Sequence, residues 1–274
     1  MTHSSCIISI ILSLVFLTIG CAGTIHEIHG TESLKKGEDD AAIADLTRAI
    51  ATDPGNARAY GNRGIAYSHK GLFDQALVDH STAIRLNPNE HRHYLNRGVT
   101  YSQLGQYDKA LEDYNHALIL NPKYAPAFNN RACAYAKQGN YDLAIADFKQ
   151  AISIDPKFVE AYDGLGEAYI HKKNYNEALS NINHAILLDP RFDNAYVNKG
   201  LLLIKKGNFD QAINEFNIAI GLNSKKAQAY AYRAIAFYYQ KKYDRALNDV
   251  NKAQDLGTKV DEQFLKELKK AAQK

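Results

Sequence analysis

The chain repeats itself every 34 residues. Counting from Ala57, six units follow in register without a gap: 57–90, 91–124, 125–158, 159–192, 193–226 and 227–260. A period of this length is one supersecondary unit per repeat. A single unit cannot bury its apolar face alone, so the units must stack, and a mixed sheet or a one-core globule is excluded for this part of the chain.

The pattern inside each unit is helical. An aromatic stands at the fourth place (Tyr60, Tyr94, Phe128, Tyr162, Tyr196, Tyr230), Gly or Ala at the eighth, and Tyr at the eleventh in the first four units (Tyr67, Tyr101, Tyr135, Tyr169). Spacings of four and three lie on one helical face. A turn at the fifteenth place (Gly71, Gly105, Gly139, Gly207) precedes a second helix with Ala at the twentieth place throughout. Each of the first four units closes on Asn-Pro or Asp-Pro, at Pro88, Pro122, Pro156 and Pro190. Proline pushes the residue before it out of the α region and ends the helix. Ser224 and Thr258 replace Pro in the last two units, so less sharp boundaries are expected there.

These residues resemble the tetratricopeptide repeat (TPR), a 34-residue helix-turn-helix unit. The resemblance implies an all-α, right-handed superhelical solenoid of antiparallel helix pairs. The stretch from Ala42 to Pro54 matches a second helix, while the residues before it keep only Gly30 and Gly37 in register, so 30–56 reads as a degenerate first repeat. About seven TPR units are therefore expected. Residues 261–274, with Phe264, Leu265 and Leu268 on one side, suit a C-terminal capping helix.

The N-terminus is different in kind. An apolar run from Ile7 to Ile19 has the length of a signal core and falls short of the roughly 20 residues of a spanning helix. It ends in "TIGC", which resembles a bacterial lipobox. Residues 1–20 then form a lipoprotein signal, Cys21 takes the lipid, and 21–29 is a short tether; a conventionally cleaved signal and an uncleaved anchor are the alternatives. Ala22 after the Cys favours the outer membrane, periplasmic face, over inner-membrane retention. Only Cys133 remains in the mature chain, which rules out an intramolecular disulfide. With no His or Asp at helical spacing, Cys133 reads as a small buried or half-buried side chain.

Charge and composition narrow the partner. A net charge of +3 from mixed residues of both signs gives no basic face for nucleic acid. "GLGEAY" at Gly164 has neither the spacing nor the preceding strand of a dinucleotide loop. His91 and His93 have no third ligand nearby, and His80 takes an aromatic place. No catalytic residue, metal or cofactor is called for.

In the resembled family the first helices line a concave groove through places 2, 6, 9 and 13. The sixth place reads Asn62, Asn96, Asn130, Gly164, Asn198, Tyr232. Asn is a poor helix former, and its repeated use asks for a role for the amide, which can bond the peptide groups of an extended chain. Bonding a neighbouring repeat is the alternative. Arg58, His69, Arg92 and Lys137 at places 2 and 13 make the N-terminal half polar and basic, suited to a peptide with some negative charge. Glu160, Asp163 and Glu167 form an acidic step beyond it. The seventh place (Arg63, Arg97, Arg131, Leu165, Lys199, Arg233) changes together with the twenty-third (Asp79, Asp113, Asp147, Asn181, Glu215, Asp249), as an internal ion pair requires.

The expected function is thus a non-catalytic scaffold at the bacterial envelope. It would be a monomer, lipid-anchored to the membrane, binding a protein or peptide partner and no nucleic acid. The alternative is a self-associating structural component that binds no peptide.

Overall fold

A computed structural model of the chain describes residues 23–273. The expected leader and Cys21 lie outside the described residues. Among those described, the regular elements are all helices: α1 over 23–36, α2 (Asp39–Thr52), α3 (Ala57–His69), α4 (Phe73–Leu86), α5 (His91–Gln103), α6 (Tyr107–Leu120), α7 (Ala125–Lys137), α8 (Tyr141–Ile154), α9 (Val159–His171), α10 (Tyr175–Leu188), α11 (Asp193–Lys205), α12 (Phe209–Leu222), α13 (Ala227–Tyr239), α14 (Tyr243–Asp255) and α15 (Glu262–Ala272). They form two compact units, one up to Ala134 and one from Tyr135.

Within the first unit α3 packs on α4 and α5 on α6; within the second α9 packs on α10, α11 on α12 and α13 on α14. Successive first helices also touch, α3 with α5 in one unit and α9 with α11 and α11 with α13 in the other. The Ala column lets the helices approach: Ala76, Ala110, Ala144, Ala178, Ala212 and Ala246 are all fully buried. The eighth-place glycines serve the same end. A Cβ on Gly98 would lie 2.6 Å from the Tyr114 ring, and one on Gly200 would lie 2.5 Å from Phe216.

Each first helix ends on a residue in the left-handed region. Gly71 has φ 74° and accepts its place because it lacks a Cβ. The units at 159 and 227 put Lys173 (φ 62°) and Lys241 (φ 59°) in the same conformation. A lysine there carries the steric cost that glycine avoids.

Two expectations are corrected. Residues 23–29 are helical where a tether was expected, because Gly30 packs against Leu46 of α2 and Glu27 reaches Asn56, completing the first pair. Losing Pro does not blur the boundary at 224. Asn223 is as extended (φ −143°, ψ 95°) as the pre-proline residues, and it receives a turn bond from Lys226 N–H as Asp155 does from Phe158. The last pair ends differently: α14 stops at Asp255 and Gly257 (φ 86°) closes it, with Thr258 N–H bonding the Ala253 carbonyl.

The amphipathic α15 lies on α14. Its Leu268 is fully buried with Phe237 and Val250, and Phe264 and Leu265 pack beside it.

Candidate functional site

The seventh and twenty-third columns meet as the sequence pattern requires. Arg63 grips Asp79 with two bonds, Nε to Oδ2 at 2.7 Å and Nη2 to Oδ1 at 2.9 Å. Arg97 holds Asp113 the same way at 2.8 Å, Arg233 holds Asp249 at 2.7 Å, and Lys199 reaches Glu215 at 3.0 Å. Leu165 is buried, while its counterpart Asn181 turns back to the Glu177 carbonyl.

The guanidinium has a third partner that the column comparison missed. Its Nη1 donates to the preceding repeat's second helix: Arg63 to Thr47, Arg97 to Ser81, Arg131 to Asn115 and Arg233 to Asn217. All four acceptors stand sixteen residues before their Arg. Ahead of Leu165 that place is Lys149, a donor, whose amine lies over the Tyr169 ring instead. The aromatic places flank the same cation, with Tyr60 and Tyr67 centroids 5.6 and 5.7 Å from the Arg63 guanidinium carbon. The Arg is therefore a staple within and between repeats.

Asn62, adjacent in sequence, points to the other side. With Asn96 it lines a concave pocket of about 260 Å³ in the first unit, bordered by Thr31, Arg58, Ile65, Arg92, His93 and Tyr124. Asn62 Nδ2 donates to Thr31 Oγ1 at 3.0 Å, which leaves its carbonyl oxygen for a ligand. The side-chain amides of Asn96 and Asn130 have no hydrogen-bond partner among the described residues. Asn198, in the second unit, is buried and donates to Asp163 Oδ1 at 2.9 Å. The Asn column thus divides: two amides bond the preceding repeat, and two are left open.

The pocket is closer to neutral than the sequence suggests. Arg58 pairs with Glu27 at 3.2 Å, and Arg92 is bound by Glu90 at 2.8 and 3.1 Å. The Arg92 guanidinium pulls the Glu90 carboxyl down to about 2, so that pair stays ionised. His93 is buried, and burial pushes its pKa down, which favours the uncharged ring. Its Nε2 has no hydrogen-bond partner among the described residues. His69 is held by Asp39 at 2.9 Å and does not reach the pocket, and Lys137 stands exposed at the end of α7.

Cys133 is exposed, against the expectation of burial. It occupies the ninth place, on the same stripe as the Asn column. Among the described residues no group of three His, Cys, Asp or Glu side chains could hold a metal ion, and no helix is long and apolar enough to cross a membrane.

Stacked helix pairs with an open polar pocket on the first helices define an all-α repeat scaffold. Tetratricopeptide repeat models match residues 57–90, 92–124, 125–158, 159–192 and 197–259, and the chain belongs to the tetratricopeptide repeat family. No curated protein matches it. Among solved structures it is similar to a tetratricopeptide repeat protein from Parabacteroides merdae (TM-score 0.74, 25% identity, 92% of this chain and 99% of that one). It also resembles Cut9 in the Cut9–Hcn1 complex (TM-score 0.78, 17% identity, 90% of this chain and 48% of that one), spanning about half of its length. A third neighbour is YrrB, described as a TPR protein with an unusual peptide-binding site (TM-score 0.50, 22% identity, 67% of this chain and 95% of that one). Repeats of this family make protein–protein interaction scaffolds.

Proposed function

We propose that the chain is a non-catalytic scaffold that takes an extended peptide segment of a partner protein across the pocket of its first unit. One observation carries this reading: the open amide of Asn96 and the open carbonyl oxygen of Asn62 border the same concavity one repeat apart. Paired donors and acceptors at repeat spacing suit a peptide backbone, whose N–H and C=O groups otherwise lose their water. The paired state of Arg58 and Arg92 makes a neutral polar segment the better fit than an acidic one. YrrB, similar in fold, lends support by having a peptide site of its own.

A photo-crosslinking residue at Asn96 tests this in extracts of the native cell. A partner should be captured through a single peptide segment, while the same residue at Ile119, exposed on α6, captures none. Equal capture at both positions would favour the second reading, self-association through outer apolar side chains such as Val78, Ile119 and Leu187, which are 65%, 74% and 75% exposed.

The scaffold works at the bacterial envelope, tethered by lipid on Cys21 and monomeric without its partner. The lipobox-like "TIGC" motivates this placement. Labelled palmitate should enter the intact protein and be lost in Cys21→Ser; an unlabelled wild type would remove the anchor from the account.

A further inference from the structure

The second unit presents a different chemistry from the first, an acidic one. Its helix α9 carries Glu160, Asp163 and Glu167 at spacings of three and four, hence along one side. Four carboxylates elsewhere in this unit have a cation beside them: Asp142 has Lys172, Asp193 has Lys226, Glu215 has Lys199 and Asp249 has Arg233. The three on α9 have no Lys, Arg or His within 4.0 Å among the described residues.

Asp163 is the unusual member. It is 7% exposed, and of its two oxygens only Oδ1 has a donor, Asn198 Nδ2. Oδ2 has none among the described residues. A carboxylate removed from water without a cation is strongly disfavoured. Burial accordingly pushes Asp163 up to about 7, with the Asn198 bond opposing and the Glu167 charge adding to the rise. The surrounding charges are few. Glu160 and Glu167 stand on α9 itself, both exposed, and Asp193 lies on α11. Lys226, just before α13, is already taken by Asp193 and Asn194. Tyr232 on α13 feels Glu167, and its phenol is pushed up by burial, so it stays neutral. Asp163 is bonded to Asn198 of α11, and α11 packs against both α9 and α13, which places the buried member of the acidic patch on the face that these helices share.

We infer that this face binds a cationic side chain, Lys or Arg, of a partner's protein segment, with its charge seated at Asp163 Oδ2 and Glu167 as the outer carboxylate. The inference stands apart from the peptide reading of the first unit, since it uses other residues and another charge. A bound cation replaces the missing partner of Oδ2 and stabilises the ionised form of Asp163. Binding therefore needs Asp163 deprotonated and strengthens as pH rises.

The probe is acetyl-Gly-Gly-Lys-Gly-Gly-amide, titrated into the full chain and followed by the carboxyl carbon signal of Asp163, assigned with Asp163→Asn. The control is the same peptide with norleucine in place of Lys. The lysine peptide should lower the Asp163 midpoint and bind about tenfold more tightly at pH 8 than at pH 6, the ratio set by the ionised fraction of a group titrating near 7. The norleucine peptide should do neither, and Asp163→Asn should abolish the pH dependence. Should Asp163→Asn fail to fold, Glu167→Gln, at an exposed site, should weaken the lysine peptide severalfold with the helical signal unchanged. An unmoved Asp163 midpoint, or equal binding of the two peptides, would overturn the inference. So would a spermidine control that binds while the lysine peptide does not, because the site would then serve free polyamines.

Discussion

Asn62 and Arg63 are neighbours in sequence and about 100° apart around their helix, and that angle separates the proposed peptide contact from assembly. Each of the three guanidinium nitrogens of Arg63 donates one bond, two to Asp79 in its own repeat and one to Thr47 in the one before. Arg63→Ala strands a nearly buried carboxylate, and a loss of about 1–3 kcal/mol in urea unfolding is expected. Arg63→Leu with Asp79→Asn should recover much of it, because the unit at 159 already works with Leu165 and Asn181. No recovery in the double variant would show that the pair does more than satisfy itself. His80 gives a second residue-scale prediction. Burial, with His93 and Arg97 adding, holds it down to about 3. Below its unfolded value of about 6.5 the unfolded chain binds a proton that the folded chain refuses, so stability falls as pH drops from about 6.5 toward 3. His80→Tyr copies the next repeat, where Tyr114 meets Ser102 at 3.0 Å. The variant should shed roughly 2–3 kcal/mol of the loss between pH 7 and pH 4.5. Parallel pH profiles for the two proteins would locate the acid sensitivity elsewhere.

At the scale of the helix pair, the period announces itself because it is written in glycine, alanine and aromatic residues, each with a steric reason to recur. Gly71 and Ala76 are legible as turn and close approach from the repeat pattern alone, and Leu268 as the apolar side of a cap. What stayed hidden needed a partner in another repeat. The acceptors are Thr47, Ser81, Asn115 and Asn217, hydroxyls in two repeats and amides in two, alike only in the ability to accept, so no single residue type marks the column sixteen places before each Arg. The start of helix α1, before Gly30, was hidden for a related reason, since this repeat keeps its glycine while losing the aromatic places. The turn glycines also predict a gain. Lys173 and Lys241 hold a conformation that glycine adopts without a Cβ clash, and replacing each by Gly should add about 0.5–1 kcal/mol to stability. A loss instead would mean that the lysine side chains contribute more at these turns than their strain costs.

At the scale of the whole molecule, the division of the Asn column is the part that sequence alone could not settle. All four residues carry the same amide, yet Asn198 is turned inward because Asp163 stands before it, and Asn96 is left open because nothing does. Likewise Arg58 and Arg92 read as a basic groove only until Glu27 is brought beside Arg58 from helix α1 and Glu90, two residues ahead of Arg92, closes on its guanidinium. The central claim is that the first unit's open amides bind peptide. It is tested most directly by selecting displayed random peptides on the full chain and titrating one of them, labelled, by fluorescence anisotropy. Asn62→Ala with Asn96→Ala should leave thermal unfolding unchanged or raised, since Ala favours helix. The same variant should weaken the peptide by about 2 kcal/mol, roughly thirtyfold, at about 1 kcal/mol for each amide. Arg63→Leu with Asp79→Asn should bind as wild type does. Undiminished binding by the double Asn variant, together with a lower unfolding temperature, would contradict the account and make the open amides part of the framework.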